Sequence, residues 1–247
     1  MQLFYCKDIP ASGFCTLDAE ESRHAVRVLR LREGDTINVT DGKGGLYTCN
    51  IIKANEKSCV ITTNSVISFP LTPSHSPSLP KIHLAVAPTK NPSRMEWLVE
   101  KAVEVGVSEI TLLDCDHSER SFMKTDRLER IALSAMKQSL HTLLPEIHPS
   151  VRLKDWLSFQ FSILNSQLKF IAHCEADQPR TPLAAALEPG HNAVVLIGPE
   201  GDFSEEEIAL ALKCGFQPVS LGPSRLRTET AALYAVCAFN LTNDCKK

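Results

Sequence analysis

The segment Ala193-Val-Val-Leu-Ile-Gly-Pro-Glu-Gly-Asp-Phe-Ser-Glu-Glu-Glu-Ile208 runs from an apolar strand directly into a glycine loop and then into a helix. Five apolar residues before Gly198 are typical of a buried strand, and Ser204 with Glu207 forms the capping box that begins a helix. Open α/β sheets bind ligands at the carboxyl ends of their strands. The loop 198–201 is therefore a candidate ligand-binding loop, since glycine lets a ligand approach the backbone closely.

A second loop of the same kind follows in Val219-Ser-Leu-Gly-Pro-Ser-Arg-Leu-Arg-Thr-Glu-Thr-Ala-Ala-Leu233. A short strand again ends in Gly-Pro, and a helix starts just after it with Thr228 or Thr230 available as N-cap. This helix is apolar on all sides through Phe239, which predicts burial in the core or in a subunit interface. Neither loop matches the Gly-x-Gly-x-x-Gly or P-loop pattern, which weakens a dinucleotide or nucleoside triphosphate interpretation.

Strands and helices alternate throughout this second part of the chain. The expected strands are 81–87, 110–113, 170–173, 193–197 and 218–221, and the expected helices are 95–105, 128–140, 205–214 and 229–239. Such alternation predicts an α/β domain with a parallel sheet covered on both faces.

The first part of the chain has the period-two pattern of strands instead. β-Branched alternation over 37–39, 46–52 and 59–67 predicts a small antiparallel barrel or sandwich, and Asp41-Gly-Lys-Gly-Gly45 predicts a turn. Between the two parts, the segment 68–80 has four prolines and no charged residue, which predicts an extended linker. The expected domains are therefore residues 1–67 and 81–247.

One basic helix interrupts the strands of the first part. Asp18 is its expected N-cap, Glu21 stands at the capping-box position, and Gly34 ends the region. The guanidinium groups of Arg23, Arg27 and Arg30 would share one helical face, with Ala25, Val28 and Leu29 turned toward the strands. Such a row of guanidinium groups can bind phosphate oxygens. The alternative is that the arginines form a solvated surface whose positive charge is balanced by nearby glutamates.

The amino-acid composition argues against a disordered, collagen-like or membrane-spanning protein. The 247 residues are 43% hydrophobic and 22% charged, with 26 basic and 29 acidic side chains and a net charge of −3. These values are typical of a globular protein and indicate no global basic field. Nine cysteines without a Cys-x-x-Cys pair, no signal peptide and no apolar run of membrane-spanning length predict a cytoplasmic protein with reduced thiols and no membrane association. No histidine–cysteine spacing predicts a metal site.

The two loops, 197–208 and 221–231, closely resemble the signature loops of the ribosomal RNA small subunit methyltransferase E family, which belongs to the SPOUT methyltransferases. Segments 23–30, 95–102 and 118–121 resemble further motifs of that family. The resemblance implies an α/β fold in which a PUA-like RNA-binding β-barrel precedes a SPOUT domain with a deep trefoil knot.

The same resemblance implies a homodimer that uses S-adenosylmethionine to methylate N3 of a uridine in 16S, small-subunit ribosomal RNA. The cofactor-binding positions carried over are His173, Gly198, Pro199, Glu200, Gly201, Leu221, Gly222, Leu226, Arg227, Thr228, Glu229, Thr230 and Ala231. Asp202 stands where the family usually has a further glycine, and aspartate visits left-handed geometry more readily than most residues.

The chemistry of uracil suggests roles for three of these side chains. Uracil N3 is a poor nucleophile until its proton leaves, so the enzyme needs a group that stabilises the uracil anion and one that accepts the proton. We predict that Arg227 stabilises the anion and that Glu200 or Glu229 accepts the proton, the alternative for both carboxylates being a structural role at loop and helix starts. The uridine must be unstacked, and Arg23, Arg27 and Arg30 then become candidate phosphate contacts.

Three other functions compete with methyl transfer. An RNA-binding protein with a degenerate second domain would bind no cofactor, although both loops are intact. A nucleotide-dependent oxidoreductase lacks its glycine fingerprint here, and a Ser-His-Asp hydrolase lacks the Gly-x-Ser-x-Gly motif.

Overall fold

The computed structural model describes residues 2–67, 79–160, 168–175 and 179–244. By internal contacts the chain forms two units, the first comprising Met1–Ser78 with Leu133–Leu144 and the second Leu79–Ala132 with Pro145–Lys247. The predicted linker lies outside the described residues except for Leu79 and Pro80. Within the described ranges, no helix is long and apolar enough to cross a membrane.

The first unit is built on a five-stranded sheet. Its elements are β1 (Leu3–Tyr5), β2 (Gly13–Thr16), α1 (Ala19–Arg23), a π-helical turn (His24–Val28), β3 (Thr36–Thr40), β4 (Leu46–Lys53) and β5 (Val60–Ile67). The strand order is β1-β3-β4-β5-β2, and no backbone pairing joins β1 to β2 in the part of the chain that is described. The predicted antiparallel pairing is found between β3 and β4, β4 and β5, and β2 and β5, but β1 pairs with β3 in parallel. The intervening β2 and α1 supply the long crossover that a parallel pair needs.

The turn between β3 and β4 forms as predicted. The Asp41 carboxylate accepts hydrogen bonds from the backbone N–H groups of Lys43 (2.7 Å) and Gly45 (2.9 Å). Gly42 has φ +73° and Gly44 φ +103°, conformations that glycine adopts without strain. The Gly44 N–H donates to the Thr142 carbonyl, and the Leu144 N–H donates to the Gly42 carbonyl. These hydrogen bonds explain why residues 142–144, although distant in sequence, belong to the first unit.

The basic helix differs from its prediction. Asp18 caps it as expected, accepting from the Glu21 backbone N–H at 2.8 Å, but the capping box is not closed. The buried Glu21 carboxylate instead pairs with Lys137. The α-helix ends at Arg23 rather than near Gly34, and the π-helical turn that follows is closed by the Leu29 N–H bonding to the His24 carbonyl at 3.0 Å.

The π-helical turn changes which side chains face the core. Ala25 is fully buried as predicted, but Val28 is 61% exposed, because the wider turn rotates every later residue relative to an α-helix. Arg30 lies beyond the turn at φ +58°, in the left-handed region. The three arginines therefore do not share one regular helical face.

The second unit contains a seven-stranded, wholly parallel sheet in the order β10-β12-β9-β11-β6-β7-β8. Its elements are β6 (Ile82–Val86), α2 (Pro92–Val105), β7 (Glu109–Asp114), α3 (Asp126–Gln138, whose last turns belong to the first unit), β8 (Glu146–Arg152), α4 (Leu153–Gln160), β9 (Leu168–Ala172), β10 (Thr181–Pro182), α5 (Leu183–Ala186), β11 (Ala193–Ile197), α6 (Glu205–Lys213), β12 (Gln217–Ser220) and α7 (Thr228–Asp244).

Helices cover both faces of this sheet, as the alternation predicted. Alternate residues of the central strands, such as Val194 and Leu196, pack with side chains of α4 and α6 in one apolar cluster. On the other face α7 packs against β6, β11 and α2.

Four elements of the second unit were not predicted from the sequence. They are the strands β8 and β10 and the helices α4 and α5, whose short segments have no clear hydrophobic periodicity.

Candidate functional site

The candidate site is a cleft at the carboxyl ends of three adjacent strands, β12, β9 and β11. It has a volume of about 680 Å³ and is walled by the loops that leave these strands. Neighbouring parallel strands end at one edge of a sheet, which brings two loops far apart in sequence together with His173. The two glycine loops singled out in the sequence thus share one cleft.

The first loop makes a turn that leaves little room for a side chain at its start. A Cβ atom on Gly198 would lie 3.1 Å from the Phe203 ring and 3.3 Å from the Phe203 backbone nitrogen. Asp202 has φ +65°, so the expected left-handed aspartate is confirmed. Its carboxylate accepts from the backbone N–H groups of Phe203 (2.9 Å) and Cys174 (2.7 Å), which ties this loop to the end of β9. Helix α6 then begins with the predicted Ser204–Glu207 capping box.

The second loop is tied to the first by a side chain. The buried Thr228 hydroxyl donates to the Gly198 carbonyl at 3.1 Å. The prediction that Thr228 or Thr230 caps α7 is wrong, because the helix already begins at Thr228 and the Arg227 carbonyl accepts its first hydrogen bond, from Ala231, at 2.8 Å. Gly222 has φ +110°, a conformation that glycine adopts readily.

His173 follows β9 and lines the cleft. It is only 4% exposed, and neither ring nitrogen has a hydrogen-bond partner among the residues described. Burial lowers the pKa of His173, Arg180 lowers it further, and Asp202 opposes both. Arg180 also donates to the His173 carbonyl. The cleft therefore contains a neutral imidazole held in place through its backbone.

The three candidate catalytic residues have different positions. Arg227 and Glu200 line the cleft and are exposed, and the Glu200 carboxylate accepts from the Lys90 backbone N–H at 3.1 Å. Glu229 does not line the cleft. It is 7% exposed, with one carboxylate oxygen 3.6 Å from the Arg94 Nε and the other without a partner in the described part of the chain.

Most of the predicted cofactor positions are brought together in the cleft. Its walls include His173, Gly198, Pro199, Glu200, Leu221, Gly222, Leu226, Arg227, Thr228 and Ala231. Gly201, Glu229 and Thr230 lie outside its lining, and a Cβ on Gly201 would face His117 at 3.1 Å instead. Within the described ranges, no group of three or more potential ligands could hold a metal ion.

Other wall residues had no role in the sequence analysis. They include Ala172, Cys174, Arg180, Ile197, Val219, Ser220, Pro223 and Ser224. Those that are adjacent in sequence to the two glycine loops could have been predicted to line the cleft for that reason alone. Arg180 carried no signal, because it reaches the cleft only through the return of the chain to β10 beside β12.

The predicted RNA-binding arginines lie in the first unit. Arg23, Arg27 and Arg30 are all exposed. Within the structure as described, none of their guanidinium groups forms an ion pair or hydrogen bond, so the glutamates proposed as offsetting charges do not engage them.

The sequence matches two family models. Residues 76–240 match an RNA methyltransferase domain, and residues 17–63 match an RNA methyltransferase PUA domain. A curated ribosomal RNA small subunit methyltransferase E from Buchnera aphidicola is 30% identical over 240 residues, which cover 94% of this chain and 89% of the relative. The chain belongs to the ribosomal RNA small subunit methyltransferase E family.

Solved structures similar to this family member agree in fold along the whole chain. A probable rRNA methyltransferase from Porphyromonas gingivalis is 39% identical with a TM-score of 0.87, and the match covers 100% of both chains. A ribosomal RNA small subunit methyltransferase E from Neisseria gonorrhoeae, bound to S-adenosylmethionine, is 27% identical with a TM-score of 0.80 over 98% of both chains. The predicted family is confirmed, and the first unit contains the family's PUA-like domain.

Proposed function

We propose that this protein transfers the methyl group of S-adenosylmethionine to N3 of a uridine in small-subunit ribosomal RNA. The observation that carries the proposal is the cleft in which two glycine loops are joined by the Thr228–Gly198 hydrogen bond. Its volume of about 680 Å³ is typical of small-molecule sites. Membership of an rRNA methyltransferase family supports the class of reaction.

The cleft fits S-adenosylmethionine in two respects. Gly198 and Gly222 carry no side chain, so a ligand can approach the backbone of both loops closely, and the two ring nitrogens of His173 offer unused hydrogen-bonding capacity. The lining residues carried over from the family would hold the cofactor, with Gly201, Glu229 and Thr230 supporting the loops from outside the lining. When bound, the cofactor supplies a methyl group activated by its positive sulfonium.

The protein's own residues must prepare the uracil. Arg227 lines the cleft and is exposed, so its guanidinium can stabilise negative charge that develops on the base. Glu200 shares that wall and is the better candidate to accept the N3 proton. The ion pair of Glu229 with Arg94 supports a structural role for Glu229 at the start of α7.

RNA recognition and assembly complete the proposal. Residues 1–67 would form a PUA-like barrel that binds RNA, with Arg23, Arg27 and Arg30 contacting phosphates, and residues 81–247 would form a SPOUT domain with a trefoil knot. A homodimer is supported by apolar side chains left uncovered on α7, where Tyr234 is 43% and Leu241 65% exposed. We place this activity in the cytoplasm, where the ribosomal substrate is found.

Substitution of Arg227 tests the proposed function. Titration calorimetry with S-adenosylmethionine measures cofactor binding, and transfer of a labelled methyl group to unmodified small ribosomal subunits measures activity. We expect Arg227→Ala to keep most of its cofactor binding and to lose activity about 100- to 1,000-fold, since one stabiliser of an anionic transition state is removed. Arg227→Lys, which keeps the charge, should lose less.

Two results would contradict this assignment. Full activity of Arg227→Ala would remove Arg227 from catalysis. Absence of S-adenosylmethionine binding by the unaltered protein would favour the RNA-binding alternative with a degenerate second domain.

A further inference from the structure

Two cysteines outside the cleft meet between the edge strands of the first unit. Cys6 directly follows β1, and its backbone N–H donates to the Thr40 carbonyl at 2.9 Å. Cys15 lies in β2, opposite Ile61 of β5. β1 and β2 are the two outermost strands of the sheet order, yet the Sγ atoms of Cys6 and Cys15 are 3.0 Å apart.

We propose that Cys6 and Cys15 are a redox-active thiol pair that an oxidant of the peroxide class converts into an intramolecular disulfide joining β1 to β2. A disulfide bond is about 2 Å long, so the two sulfurs need to approach by only about 1 Å. Both side chains are half-buried and pack against the apolar core of the first unit, which holds the strands that carry them. Among the described cysteines, no other two sulfurs are in such contact.

The reaction begins at the sulfur of Cys6. Burial and the hydrogen bond to Cys6 raise the pKa of Cys15 to about 12, so Cys15 stays protonated at neutral pH. The Cys6 sulfur attacks the peroxide, the O–O bond breaks, and Cys6 sulfenic acid forms with release of one water. The Cys15 sulfur then attacks the Cys6 sulfur, and the S–OH bond breaks as hydroxide leaves with the Cys15 proton as a second water. The two thiols lose two hydrogens and hydrogen peroxide is reduced to two waters.

The disulfide would connect strands that no backbone hydrogen bond joins within the described residues. It would close a short loop, residues 7–14, and so restrict the unfolded chain. We expect the midpoint of thermal unfolding of the full-length protein to rise by about 5 to 10 °C on oxidation and to return on reduction.

Peptide mapping of the full-length protein after hydrogen peroxide treatment tests the proposal. Trypsin cleaves after Lys7, so Cys6 and Cys15 fall in the separate peptides 1–7 and 8–23. We expect a reducible cross-linked pair of these peptides, lighter by two hydrogens than their sum. In Cys15→Ser the cross-link should be replaced by a Cys6 sulfenic acid that dimedone traps, and the rise in the thermal midpoint should be lost.

The peptide map of the unaltered protein decides the question even if the variant does not fold. Recovery of Cys6 and Cys15 as separate alkylated peptides after peroxide treatment overturns the proposal. So does a disulfide from Cys6 to any cysteine other than Cys15, or to a second copy of the chain, which mixing of isotope-labelled and unlabelled protein detects.

Discussion

At the scale of single residues, His173 supports the proposal that the cleft binds a ligand. A buried imidazole without partners has lost its hydrogen bonds to water and gained none from protein among the described residues. The loss is recovered if a ligand in the cleft bonds to the ring. The Arg180–His173 and Asp202–Cys174 hydrogen bonds hold this segment on both sides, so the ring is positioned before a ligand binds.

The titration of His173 predicts how cofactor binding depends on pH. Burial lowers its pKa, so the ring is neutral at pH 7 and becomes charged only as pH falls through that lowered value. The charged ring would repel the cofactor's positive sulfonium and would lose its acceptor nitrogen. We therefore expect titration calorimetry to show S-adenosylmethionine binding that weakens as pH falls below about 6.5, the ordinary pKa of histidine, and that does not weaken above it.

His173→Asn provides the control for this prediction. Asparagine keeps a donor and an acceptor but does not titrate. Its binding should vary less with pH, and an unchanged pH profile in this variant would rule out His173 as the titrating group.

At the scale of elements, the two glycine loops are held together because the start of helix α7 is hydrogen-bonded to the loop that follows β11. That link is the Thr228 hydroxyl, which gives the Gly198 carbonyl a donor inside a buried turn. Hydroxyl caps such as Ser204 act within three residues, whereas Thr228 reaches thirty residues back along the chain. A side-chain hydroxyl therefore serves two purposes that local sequence does not distinguish.

Removing the Thr228 hydroxyl should loosen the connection between the loops. In Thr228→Val the Gly198 carbonyl loses its donor while the shape of the side chain is kept, at a cost of about 1 kcal/mol. We expect about fivefold weaker S-adenosylmethionine binding by calorimetry. Thr228→Ser keeps the hydroxyl and should bind as the unaltered protein does. Equal affinities for the Val and Ser variants would refute the link.

The basic segment illustrates the limit of helical periodicity as evidence. The spacing of Arg23, Arg27 and Arg30 assumed a single α-helix, but the π-helical turn after Arg23 changes the register. The three arginines are nevertheless exposed, so each of them can still contact a phosphate, although not as one row on a helical face.

At the scale of the whole molecule, stability should depend on pH through a buried histidine far from the cleft. His83 bonds to the Thr111 hydroxyl at 2.8 Å, and burial, helped by nearby His148, lowers the pKa of His83 to about 4. Between pH about 6.5 and about 4 the unfolded chain binds a proton that the folded protein excludes. Stability therefore falls as pH drops through this range, by about 3 kcal/mol at its lower end.

Urea unfolding across this pH range measures the effect, with His83→Gln as the comparison. Carboxylates titrate in both proteins, so the difference between their pH profiles isolates His83. We expect a flatter profile for the variant. Parallel profiles would show that His83 does not determine the pH dependence.

At the scale of the whole molecule, the affinity for RNA should decrease as the salt concentration rises. We expect basic residues of the first unit to account for part of that decrease. If Arg23, Arg27 and Arg30 contact phosphates, replacing all three with alanine should reduce the slope of log affinity against log salt by about 2 units. Fluorescence anisotropy with a fragment of small-subunit rRNA measures the slope. Lys213→Ala removes an exposed cation of the second unit and should change the slope less. An unchanged slope in the triple variant would assign the arginines to solvated surface.

The sequence by itself determined the features that depend on neighbours along the chain. The strand 193–197, the capping box of α6 and the end of α2 at Val105 formed as predicted, because each rests on residues within a few positions. Family membership followed from the same local motifs.

Only the tertiary structure decided which side chains face the cleft and which partners they have. Glu21 pairs with Lys137 instead of its own helix start, and Glu229 pairs with Arg94 outside the cleft lining. Partners that lie far along the chain compete with local bonds once folding brings them close. A buried carboxylate then takes the cation that tertiary packing places beside it, because leaving its charge unpaired in the interior costs more than giving up a local cap.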